Sequence, residues 1–469
     1  MNPQELVGAG PVDFVKLAII LPVFLLVAPL AGTWLVHRPG PQRMVFALMC
    51  FMTINGLLAA GNWGMTLVSI ENYRGHTKGF HFYYNHALAI SLIVAKWKEG
   101  GKQFRWFPPG VGLYLLYCAC SFLSIVNAPH RDLTLMAMHK MVFASVILIA
   151  TFNVLRTERD LQFFLKVMAV TMTWQLFVVL KMKYLQGMYQ VRGTFEHQNP
   201  LAMYSVLIGI IFLATAMGPA FRGANFVLFS YLATAAIVQS TLSRAALAMF
   251  GAGTIGVMIM SIAEKPTPRR LMTTALMGVV GSAGLLLAMD TLIARFNDKG
   301  NQASGELRHV MNSAAKAMVH DHPLGIGWNN FALVINPPFP YAGIYYEWNR
   351  DRGMKVDETK QNAVVESHYY LLLAETGWLG LGSYLLLIIV GLWRNLRAFL
   401  SFKHSFLRCL ALGVGAACSL NYVQSLLERV LVQPRNLMLW LIVAGITARL
   451  EMFRREAKTA GRPPPAERS

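Results

Sequence analysis

The chain has 469 residues, of which 55% are hydrophobic and only 14% charged, with a net charge of +19. Soluble chains carry about 25% charged residues, and the apolar residues here come in blocks long enough to cross a bilayer, about 20 residues per helix; a soluble globular protein is excluded. The basic residues sit in short loops between those blocks, the positive-inside pattern, so the charge needs no nucleic-acid partner and none is expected.

In chain order, the first apolar run, Leu17 to Val36, follows Lys16 and is too long for a signal-peptide core. It reads as a membrane helix. Further spans are expected at 43–61, 80–96, 107–126, 132–154, 161–184, 199–218, 224–240, 243–263, 271–291, 368–392, 407–427 and 434–450. The stretch 80–96 is the weakest, because it is short and opens on Phe80, Phe82, Tyr83 and Tyr84 like an interfacial belt. The expected fold is therefore all-α, a polytopic transmembrane helical bundle of twelve or thirteen spans. Residues 1–291 form its first ten helices, 292–367 a long loop, 368–450 the C-terminal helices and 451–469 a disordered tail. The five cysteines lie inside apolar stretches without CxxC or Cys/His spacing and read as small buried hydrophobes.

Alternate loops differ in charge. One set carries Arg38 and Arg43; Lys96, Lys98, Lys102 and Arg105; Arg156 and Arg159; Arg222; Lys265, Arg269 and Arg270; and Arg394, Arg397, Lys403 and Arg408, with more in the tail. That set is expected to face the cytoplasm, with the C-terminus inside. Segments 185–198, 240–244 and 292–367 then lie outside. Within the long loop, Leu307, Val310, Met311, Ala314, Ala315 and Met318 recur at helical spacing. An amphipathic helix lying on the outer membrane surface is expected there.

Four outer segments hold the chemistry-bearing residues. The first, Val191 to Pro200, contains Arg192, Glu196, His197 and Asn199, which would be costly facing lipid. It reads as a capped turn, with Asn199 as the cap, or as an anion site where the Arg192 fork matches phosphate oxygens beside a helix N-terminus. The second, Gln239 to Ala246, offers Arg244 with Ser243 and neighbouring hydroxyls; Arg244 either snorkels to the interface or clamps the same anion. The third, Asp321 to Phe331, contains Gly325-Ile326-Gly327 and the pair Asn329-Asn330, and an aromatic stretch follows it. Its aromatics suit either an interfacial belt or stacking on sugars. The fourth, Glu366 to Gly380, contains His368 and Glu375. Histidine takes and gives a proton near neutrality, which makes His368 the candidate base. The outer carboxylates are scattered, so no metal site is expected.

Taken together, Arg-Gly-Thr-Phe-Glu-His-Gln-Asn-Pro-Leu-Ala (192–202), Ser-Arg-Ala-Ala-Leu (243–247), His-Pro-Leu-Gly-Ile-Gly-Trp-Asn-Asn-Phe (322–331) and His-Tyr-Tyr-Leu-Leu-Leu-Ala-Glu-Thr-Gly (368–377) resemble the O-antigen ligase/polymerase family of bacterial membrane glycosyltransferases. The order and spacing of the set carry the resemblance. It implies a multi-pass protein of the bacterial inner membrane with its active site facing the periplasm. The donor would be an undecaprenyl-pyrophosphate-linked glycan. The acceptor would be lipid A-core, another lipid-linked glycan or a protein hydroxyl, as in lipopolysaccharide or exopolysaccharide biosynthesis. No cofactor or metal is implied. By position, Arg192 and Arg244 would hold the pyrophosphate and His368 would activate the acceptor. Glu196, His197, Asn199, Ser243, Arg308, Asn329 and Asn330 would contact substrate. Two positions depart from the pattern: Tyr369 follows His368 where asparagine is usual, and Glu196 stands where glycine is commoner. A polymerase joining lipid-linked repeat units is the nearer alternative. A flippase for lipid-linked sugars is the alternative from another class, although it would place charges deep within several spans and often show inverted repeats.

Overall fold

The structure, a computed structural model, describes residues 11–54, 64–70, 72–297, 300–356, 360–403 and 405–460. Among the described residues it is mostly helical, with one hairpin in which β1 (Gly64–Leu67) pairs antiparallel with β2 (Phe80–Tyr83). The helices in chain order are α1 (Asp13–Leu35), α2 (Pro39–Phe51), α3 (Tyr84–Gly100), α4 (Val111–Phe122), α5 (Arg131–Val154), α6 (Glu158–Leu180), α7 (Gln198–Ala216), α8 (Ala224–Thr241), α9 (Arg244–Glu264), α10 (Pro268–Asn297), α11 (Gly300–Asp321), α12 (Ala342–Asp351), α13 (His368–Ser401), α14 (Phe406–Gln424) and α15 (Pro434–Ala460). Each of the thirteen expected spans falls wholly or partly on one of them.

Nine helices among the described residues are long and apolar enough to cross a membrane: α1, α5 to α9 and α13 to α15. Helices α2 and α3 have 13 and 17 residues. At 1.5 Å per residue α3 falls short of a bilayer core of about 30 Å, while residues 55–61 of the second expected span, which follow α2, lie outside the described residues. The sequence reading took β2 into the third span; its Phe80 to Tyr83 are extended, and the helix starts only at Tyr84. At the other end of the chain, α15 continues as far as Ala460 and so takes in the start of the expected tail. Residues 461–469 of that tail lie outside the described residues.

The bundle is wrapped around α7. Protein covers 94% of its apolar window, against 17% for α1. Helices α8 and α14 flank it, and α14 approaches closely at Gly413, where an added Cβ would lie 2.8 Å from Ala214 Cβ. The outer helices present large apolar side chains such as Leu25, Leu30, Ile255 and Ile259 to the surroundings. Such a continuous apolar exterior suits lipid and not water.

The loops richest in arginine meet at one end of the bundle. Arg43 reaches Asp160 (3.4 Å), and Glu264 takes both Arg270 (2.9 Å) and Arg408 (2.7 Å). At the other end a second apolar core forms a cap over the helices. Met311, Ala314, Ala315 and Met318 of α11 are buried there with Tyr73 and Phe331. The long loop does contain the expected amphipathic helix. Its apolar face is spent on this protein core, however, and does not lie on a membrane surface. The reason is that the hairpin region and the chain after α11 supply matching apolar side chains, which exclude water and lipid alike.

Candidate functional site

The third and fourth motifs interlock. Ile326 N–H donates to Ala374 O (2.9 Å) and Phe331 N–H donates to Glu375 Oε1 (3.1 Å). Gly377, with φ 64°, breaks the start of α13 against Pro323 and Gly325; a Cβ there would lie 2.2 Å from Pro323 O. Only glycine takes both that backbone conformation and that contact without strain. The first two motifs also meet, through Val191 N–H on Ser240 O (3.3 Å).

The helix cap of the first motif is His197, not Asn199. His197 Nδ1 accepts from Asn199 N–H (3.4 Å). This leaves the Asn199 side chain free to donate to Glu428 Oε1 (2.8 Å). Arg308 of α11 pairs with Glu366 and reaches Glu428 (3.5 Å), so Asn199 and Arg308 converge on one carboxylate. Burial and the nearby Glu366 carboxylate push Glu428 up to about 7, against the pull of Arg308.

The other expected residues are placed as follows. Arg192 and Glu196 are exposed, and Arg192 lies over the Glu196 carbonyl (3.5 Å). Arg244 is the first residue of α9, and Ser243, buried, is its N-cap position. Asn329 and Asn330 are fully buried and spend their side chains on the fold. Asn329 Nδ2 donates to Thr77 O (2.9 Å) while its Oδ1 accepts from Thr77 N–H (3.2 Å). Asn330 Oδ1 accepts from His130 N–H (3.2 Å), and its Nδ2 donates to Thr134 (3.2 Å). Both therefore act as struts under the cap. His368 is 2% exposed at the start of α13, with its ring edge-on to Tyr384 (5.2 Å). It lines a space of only about 20 Å³ among Tyr114, Tyr117, Tyr384, Val432 and Trp440.

Val432 also lines a much larger cavity of about 470 Å³. It is within the usual size range of a ligand site. Its wall includes Phe195 and Glu196 of the first motif, the segment Gly75 to Lys78, His81, Arg429 and Arg435. Three cations thus face one carboxylate. The wall is held firmly. Lys140 of α5 donates to His76 O (2.8 Å) and also to Val432 O, and Asn329 grips Thr77. His76 Nε2 lies 3.3 Å from Glu375 Oε2, which joins the cavity wall to the fourth motif. Burial pushes His76 below the usual histidine range, against the pull of Glu375.

Lys78, Lys140, His76, Arg429 and Arg435 were not singled out from the sequence. Lys140 was hidden within an apolar block. Arg429 precedes the last span and Arg435 stands at its start, where positive residues are common; their position on the weakly basic side of the bundle was the available signal. Among the described residues no group of three or more His, Cys, Asp or Glu side chains is placed to hold a metal ion.

An all-α bundle with an apolar exterior and a basic cavity at one end defines a multi-pass membrane protein. Residues 228–385 match the model of the O-antigen ligase family. Over that stretch, about a third of its length, the chain is similar to the O-antigen ligase family, and the match supports a ligase- or polymerase-type membrane glycosyltransferase-like function in polysaccharide biosynthesis. The matched stretch holds Arg244, Arg308 and His368, whereas Arg192 and the Arg429–Arg435 segment lie outside it. No curated protein matches the chain.

Proposed function

We propose that this protein transfers a glycan from a lipid-linked pyrophosphate donor, of the undecaprenyl type, to an acceptor hydroxyl on the periplasmic side of the bacterial inner membrane, as an O-antigen ligase does. The observation that carries the reading is the large basic cavity at the end of the bundle away from the arginine-rich loops. Cleaving a glycosyl pyrophosphate builds charge on the departing diphosphate. Fixed cations in a site shielded by protein stabilise that charge best. The acceptor oxygen forms the new bond to the anomeric carbon as the bond to the diphosphate breaks, and its proton passes to a base.

In this reading Arg192 and Arg244 contact the pyrophosphate, and Glu196, His197, Asn199, Ser243 and Arg308 line the path of the substrates. His368 assists the acceptor from its aromatic pocket. Asn329 and Asn330 contribute by shaping the cap. The C-terminus is cytoplasmic, and the acceptor is lipid A-core, a second lipid-linked glycan or a protein.

Arg192→Ala, Arg244→Ala and His368→Ala should each abolish transfer while the protein still inserts normally. Full activity in any of the three removes that residue from the mechanism. Deleting the gene should leave full-length polymer on the lipid carrier. Single repeat units accumulating instead would mean that the protein is a polymerase.

A further inference from the structure

The junction of the last two helices, Arg429 to Arg435, carries two of the three Lys and Arg side chains on the cavity wall. Arg429 is partly buried on its wall and makes no hydrogen bond or close ion pair with any described residue. Its nearest compensation is the longer-range field of Glu375, Glu366 and Glu428. A cation placed this way is costly unless something anionic completes it. Six positions later, Arg435 lies in the first turn of α15, a 27-residue helix. Its guanidinium stacks on Phe195 (5.1 Å to the ring centre) and donates to Thr194 O. That contact fixes the arginine to the first motif while the residue still lines the cavity. Val432, Gln433 and Pro434 line it too, so the N-terminus of α15 opens onto the same space. The backbone N–H groups of a helix N-terminus attract anions, and the proline there donates none of its own. Lys78, from the hairpin loop, lines the same cavity.

We propose that Arg429 and Arg435, with the N-terminus of α15 between them and Lys78 on the same cavity wall, form the seat of a lipid-borne diphosphate. The planar forks of two arginines suit the paired oxygens of a diphosphate better than a single phosphate. Met52, Phe195 and Met438 on the same wall offer an apolar side to the chain that carries it. The inference rests on the glycosyl-transfer reading and deepens it, adding to Arg192 and Arg244 a set of diphosphate-holding residues on the cavity wall that lies outside the four sequence motifs.

The test uses the full-length protein in lipid nanodiscs, titrated calorimetrically with farnesyl diphosphate and with inorganic pyrophosphate. Arg429→Gln and Arg435→Gln are each expected to weaken farnesyl diphosphate binding tenfold or more, and Arg429→Lys less. Arg397→Gln, exposed at the far end of α13, should bind as wild type. Wild-type affinity in both cavity variants overturns the proposal, as does equal weakening by Arg397→Gln, which would mean surface attraction only. No gain from the prenyl chain over inorganic pyrophosphate overturns the lipid-borne part. A glycan-transfer assay separates this from the functional reading. Wild-type protein that binds farnesyl diphosphate through Arg429 yet transfers no glycan keeps the seat and removes the function. Normal transfer with unaffected binding in both variants does the reverse.

Discussion

Two spaces at the capped end of the bundle share Val432 as a wall and differ in almost everything else. One is about 470 Å³, polar and basic, and is built from the hairpin loop, the first motif and the α14–α15 loop. The other is about 20 Å³, aromatic, and contains the motif histidine His368. Space and positive charge travel together, and both come from segments tied down by hydrogen bonds to backbone. The histidine is instead packed among rings, edge-on to Tyr384. The difference teaches that a motif residue can sit next to a site without lining its main cavity.

Three changes would break or sharpen this contrast. The largest effect is expected from Asn329→Ala. It leaves the buried Thr77 N–H and C=O unpaired, at about 4 kcal/mol for two lost bonds. Thermal unfolding should shift strongly, and the wall carrying His76 and Lys78 should loosen; a variant as stable as wild type would mean the asparagine does not hold the wall. Glu428→Gln comes next. Glu428 titrates at about 7 in the fold, up from 4.5. Between those values the folded state binds the extra proton, so its stability falls as pH rises through that window. The total is roughly 2 kcal/mol after allowance for partial solvation. The variant should lose this slope in unfolding measured from pH 4 to 8, and an unchanged slope would assign the titration elsewhere. Val432→Ala should have the smallest effect, about 1 kcal/mol for a partly collapsing cavity. It joins the two spaces, so diethyl pyrocarbonate should modify His368 faster than in wild type. An unchanged rate would show that the aromatic pocket closes by itself.

The helical character of all thirteen expected spans was legible, because hydropathy reports burial in lipid or protein alike. For the same reason it could not separate the buried α7 from the lipid-exposed α1. It also overstated the third span, whose first apolar residues, Phe80 to Tyr83, form a strand of the hairpin ahead of α3. In the site, Phe195-Glu196 and the interlocked glycines were visible as motifs. Arg429 and Arg435 were not, since a basic residue beside a span ordinarily marks topology. Only tertiary folding brings Lys78 to the same cavity wall, across most of the chain length. The role of Asn329 was hidden for a related reason: its partner Thr77 has no sequence pattern of its own.

The central position of α7 has a consequence for how sequence change is tolerated along the chain. A helix with one face in lipid accepts varied apolar residues there and resists change on its packed face, which gives a tolerance profile that rises and falls every three to four residues. Helix α1 should show that rhythm. Helix α7 has no lipid face left, so a substitution scan along it should read flat and low from Pro200 to Ala216. The most hydrophobic-looking stretch at the centre of the bundle would then be among the least replaceable parts of the protein.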